Sequence, residues 1–70
     1  MTYGEMLNLY LSEMGVSQSE LARRIGTGRQ TVNGLIVGKD RKGPTLETAM
    51  AIANALGVPL QEMVDRMKEA

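Results

Sequence analysis

The segment SQSELARRIGTGRQTVNGLIVG, Ser17 to Gly38, carries two helix-start signals ten residues apart, with a glycine just before the second. A capping box places Ser or Thr at the N-cap and Glu or Gln three residues on, so that each side chain satisfies the other residue's unpaired backbone N–H. The pattern occurs at Thr2-Tyr3-Gly4-Glu5, at Ser17-Gln18-Ser19-Glu20 and at Thr27-Gly28-Arg29-Gln30. Two boxes so close leave room for only a short helix between them, and Gly26 supplies its left-handed stop. A chain with that constraint must set two short helices at a steep angle, joined by roughly three residues around Gly26.

Apolar spacing extends the pattern to the whole chain. Helix 1 is predicted over about Tyr3 to Met14, with Met6, Leu7, Tyr10, Leu11 and Met14 at helical rhythm. Helix 2 is predicted over about Gln18 to Ile25, with Leu21, Ala22 and Ile25 inward. Helix 3 follows over about Gly28 to Val37, with Val32, Leu35 and Ile36 inward. Lys39 to Pro44 reads as a polar loop, and Thr45 as the cap of helix 4, about Leu46 to Leu56. Pro59 suits the first turn of helix 5, about Pro59 to Lys68, with Leu60, Met63, Val64 and Met67 apolar. Gly15, Gly38 and Gly57 stand at the remaining helix ends. No segment alternates with period two, so the expected fold class is all-α: a compact five-helix domain, residues 1–70, with its helix-turn-helix motif over 18–37. Met6, Met14, Met50 and Met63 fall at core spacing in a chain with two tyrosines and no Phe or Trp, so thioethers must fill the interior.

Composition narrows the chemistry. Seventy residues bury only roughly 60% of the unfolded surface, so stability is modest. There is no cysteine and no histidine, which removes disulfides, the usual metal sites and most nucleophile–base pairs. No carboxylate pair stands out, and neither an enzyme, a metal nor a cofactor is expected. The longest uncharged run, Thr48 to Gln61, is 14 residues and contains Asn54, Gly57 and Pro59, too short to span a bilayer. With no signal-peptide pattern at the N-terminus, a soluble intracellular protein is expected.

Net charge is zero, yet it is unevenly distributed. Residues 1–22 carry −3, residues 23–42 carry +5 and residues 43–70 carry −2. The basic middle, Arg23, Arg24, Arg29, Lys39, Arg41 and Lys42 against Asp40, provides a local field suited to a polyanion.

"LARRIG", then "TGRQTVNGLIVGK", then "LETAMAIANALGVPL" together resemble the lambda-repressor-like helix-turn-helix domain, the fold of phage repressors, Cro proteins and the XRE group of regulators. The likeness covers about Leu7 to Val64, and "SQSELA", the Gly26 turn, Gly38-Lys39 and "ALGV" all fall at family spacing. It implies a cytoplasmic, bacterial or phage-encoded, sequence-specific binder of double-stranded DNA: a repressor that occupies a palindromic operator as a homodimer. Helix 3 would be the recognition helix in the major groove. Arg29 then suits guanine O6 and N7, Gln30 suits adenine N6 and N7, and Thr31 offers a hydroxyl or a methyl. Asn33 and Gly34 stand one turn further along the same face. Gln18 is at a family position that touches a phosphate and often braces the first recognition residue. Thr27, and Lys39, Arg41 and Lys42 in the loop after helix 3, are the other candidate phosphate contacts.

Some positions depart from the family pattern. Gly28 and Val37 replace residues that are commonly polar, Val37 where asparagine is usual. Gly34 places a glycine inside helix 3 at a cost of about 1 kcal/mol relative to alanine, which close approach to another helix or to DNA would explain. Ile36, Val37, Leu60, Met63, Val64 and Met67 offer apolar surface for a second subunit. The alternative class is a protein-interaction module such as an antitoxin, in which these apolar surfaces bind another protein. Arg29, Gln30 and the Lys39–Lys42 loop distinguish the two, since a pure protein binder does not need them.

Overall fold

A computed structural model describes residues 1–38 and 43–69. Five helices follow in order: α1 Tyr3–Met14, α2 Gln18–Ile25, α3 Arg29–Val37, α4 Leu46–Leu56 and α5 Leu60–Lys68. No strand occurs among the described residues. The termini of the first two helices follow directly from their caps. Thr2 Oγ1 accepts from the Glu5 N–H at 3.1 Å, and Glu5 Oε1 accepts from the Thr2 N–H at 2.8 Å, closing the box reciprocally. At α2 only half the box forms: Ser17 Oγ accepts from the Glu20 N–H, while the Glu20 carboxylate turns to Arg24.

The third box does not form. Gly28, not Thr27, is the N-cap of α3, and α3 has no side-chain cap. The reason lies at the end of the preceding helix. Gly26 sits in the left-handed region at φ 75, and the Thr27 N–H donates back to the Ala22 carbonyl at 2.9 Å. Thr27 therefore completes the C-terminal cap of α2, and the next helix starts one residue later. Pro59 likewise serves as the N-cap of α5 rather than within its first turn.

The core gathers the inward stripes. Met6, Leu7, Leu21, Val32, Ile52 and Met63 are fully buried, with Tyr10, Leu11, Ala22, Ala53 and Leu56 around them. α2 packs on α3 and α4, and α1 packs on α3 and α5. Ala22 is buried, and its small side chain permits the close approach of neighbouring helices. Ile25, Leu35 and Ile36 are only partly buried against this core. Two methionines expected inside are outside: Met14 is 44% exposed and Met50 is 50% exposed. Periodicity identifies the side of a helix, not whether another element covers it.

Polar contacts outside the core link the helices. Arg24 pairs with Glu20 at 2.8 Å and donates to the Ala55 carbonyl at 3.2 Å, placing a cation at the C-terminal end of α4. Across the molecule, Arg66 on α5 donates to both carboxylate oxygens of Glu13 on α1 and stacks 4.6 Å from the centre of the Tyr10 ring. The Tyr10 hydroxyl donates to Glu62 at 3.0 Å.

Candidate nucleic-acid interface

The placement of α3 follows from Val32. This side chain is fully buried, and Leu35 and Ile36 pack beside it. At 3.6 residues per turn, Gln30, Gly34 and Val37 then fall on the opposite side. Gln30 and Val37 are exposed, as are Arg29 and Thr31 at the start of the helix. Arg29, Gln30 and Thr31 thus stand together on the first turn, clear of the hydrophobic interior.

Gly34 is half-buried, and a Cβ built there would meet nothing within 4 Å. The expectation that another helix packs against it is therefore corrected: the glycine leaves an open notch on the outer face of α3. The glycine under packing pressure is Gly4, which the sequence pattern did not single out. A Cβ on Gly4 would overlap the carbonyl oxygens of Leu35 and Ile36, so α1 rests directly on the C-terminal backbone of α3. Gly4 occupies the middle of a capping box, where a glycine draws no attention as a packing residue.

Gln18 and Asn33, fifteen residues apart, are brought together. Asn33 Nδ2 donates to Gln18 Oε1 at 3.2 Å, and both residues are half-buried. Gln18 therefore meets the fifth residue of α3, and no sequence spacing signals that contact. Thr27 is half-buried and lines a cleft between the α2–α3 turn and the start of α4, with Thr31, Thr45, Thr48 and Glu47. Thr45 and Thr48 were also not foreseen as neighbours of this face. Lys39, Arg41 and Lys42 lie outside the described residues.

The apolar residues expected at a subunit contact divide into three groups. Val37 and Val64 are exposed. Ile36, Leu60 and Met67 are half-buried and pack against the core. Met63 is only 1% exposed, so its assignment to a subunit surface is corrected: it is a core residue. Leu46 on α4, 70% exposed, and Met50 one turn along add apolar surface that was not anticipated. Among the described residues no helix is long and apolar enough to cross a membrane, and no group of acidic side chains is arranged to hold a metal ion.

An all-helical chain whose second and third helices meet at a left-handed glycine, with the third turning a polar first turn outward, is a lambda-repressor-like helix-turn-helix domain. A family model described as helix-turn-helix matches residues 8–63, and the chain belongs to this family. It is similar to Repressor protein C of Rhizobium phage 16-3, 38% identical over 60 residues, which are 86% of this chain and 22% of the phage protein. It is also similar to an uncharacterized HTH-type transcriptional regulator of Methanothermobacter thermautotrophicus, 40% identical over 52 residues, 74% of this chain and 72% of that protein. The chain thus spans less than a quarter of the phage protein's length.

Proposed function

We propose that the chain represses transcription by sequence-specific binding to duplex DNA. In this reading two copies sit on a palindromic operator, each with α3 in the major groove. The observation that carries it is the orientation of α3: Val32 is buried while Arg29, Gln30 and Thr31 stand exposed on one turn. Arg29 donates in bidentate fashion to guanine, Gln30 pairs with adenine, and Thr31 contacts a base edge or methyl. Gly34 lets the duplex approach the helix backbone. Gln18, Thr27, Lys39, Arg41 and Lys42 hold phosphates. The name of the phage relative supports repression as the outcome.

In this reading the chain acts as a homodimer, whose two recognition helices would stand about 34 Å apart on one face of the duplex. Val37 and Val64 are the candidate subunit contacts with exposed side chains. The test is the salt dependence of duplex binding. Neutralising several phosphates releases counterions, so affinity is expected to fall steeply as salt rises from about 50 to 200 mM. A flat response would count against this reading and favour the alternative, a protein partner as for an antitoxin.

A further inference from the structure

We propose that Asn33 is a positioning residue, which orients the Gln18 side chain toward a phosphate and does not itself read a base. The inference rests on the DNA-binding function proposed above. Its basis is the bond from Asn33 Nδ2 to Gln18 Oε1, 3.2 Å long, between two half-buried side chains.

The chemistry of the primary amide sets the direction. A glutamine amide carries an acceptor oxygen at one end and an NH2 group with two donors at the other. The bond from Asn33 holds the oxygen end of the amide, so the Gln18 Nε2 end is the one turned to a ligand. A group that presents only donors selects an acceptor without protons, such as a phosphate oxygen. Gln18 is also the first residue of α2, where backbone N–H groups lack intrahelical acceptors and the helix dipole favours an anion. The side-chain donors and the backbone donors then converge on the same charge.

Asn33 belongs to α3 and Gln18 to α2, so the bond also ties phosphate anchoring to the position of the recognition helix. A free glutamine side chain would lose the freedom of its three torsions on binding. The bond to Asn33 restricts them beforehand, and less ordering remains for the complex. Asn33 engaged in this way has one of its two amide donors on Gln18 and the plane of its side chain set by that bond. Base selection is left to Arg29, Gln30 and Thr31, with the Gly34 notch beside them.

The test uses the duplex that the unaltered protein enriches most from a random pool, and the same duplex with a neutral methylphosphonate at each backbone position in turn. Asn33→Ala, Gln18→Ala and the double variant are compared, each first checked for native thermal unfolding. Gln18→Ala is expected to weaken binding about 10-fold and Asn33→Ala about 3- to 10-fold, with the double variant no weaker than Gln18→Ala alone. The Asn33→Ala loss should disappear at one methylphosphonate position, and its base preference should match the unaltered protein at every step. Asn33→Asp serves as a second variant of the same size. Its carboxylate only accepts, so it turns the Gln18 amide around, draws the donors inward and weakens binding more than Asn33→Ala does. Additive losses, or relaxed preference at one base step in Asn33→Ala, would overturn the assignment while leaving the DNA-binding function intact. Failure to enrich any duplex would remove both.

Discussion

Gly4 on α1 lies against the backbone of Ile36 on α3 so closely that a single added carbon would overlap the Ile36 carbonyl oxygen. The obstruction is backbone, which cannot swing aside as a flexible side chain would. Gly4→Ala gains helix propensity but forces α1 away from α3. The net expectation is a loss of about 1–3 kcal/mol, seen as a lower midpoint in urea or thermal unfolding. An unchanged or raised midpoint would show that α1 does not bear on the end of α3.

Gly34 predicts the opposite sign. It lies inside α3, its backbone is helical, and a Cβ there would meet open space. Gly34→Ala should therefore stabilise the fold by about 0.5–1 kcal/mol. Because the notch faces away from the buried Val32, the same change should lower duplex affinity. Stability and binding measured on one variant would separate the two effects. Higher stability with unchanged binding would place the duplex away from that part of α3.

The Glu13–Arg66 pair governs part of the acid response. Hydrogen bonding from the Arg66 guanidinium holds the Glu13 carboxyl below its ordinary value of 4.5. The Thr2 backbone N–H, with the Thr2 side chain, does the same for Glu5. A carboxylate with a depressed folded pKa contributes stability that is present above the unfolded value and is lost as pH falls through the folded value. Stability should accordingly drop as pH goes below 4.5. Glu13→Gln should unfold more readily at neutral pH and show a shallower fall below that point, so that the two unfolding curves converge in acid. Parallel curves at all pH values would mean that the pair does not act in solution.

Much of the fold is legible because its helix ends are written in local chemistry. Thr2, Ser17 and Thr45 each cap a helix through their own side chain, and Gly15, Gly26, Gly38 and Gly57 each end one. Thr27 shows where local pattern fails, because its N–H is already committed to closing α2. Met14 and Met50 show the limit of periodicity, which names a helix face but not the element that covers it. At the candidate interface the first turn of α3 could be anticipated from its polar residues and from the buried stripe behind them. The Gln18–Asn33 bond, the Gly4 contact and the cleft holding Thr31, Thr45 and Thr48 are tertiary, made by residues distant in sequence. No spacing rule foretells them.

In the proposed function the exposed first turn of α3 selects base pairs through Arg29 and Gln30. Parallel selections from a random duplex pool, with the unaltered chain and with Arg29→Ala, test it most directly. The unaltered chain should enrich an inverted repeat with half-sites about one helical turn apart. Arg29→Ala should bind about 10- to 100-fold more weakly and lose preference at one base step in each half-site while keeping the others. Identical preferences from both proteins, or no enriched sequence from the unaltered chain, would contradict the account.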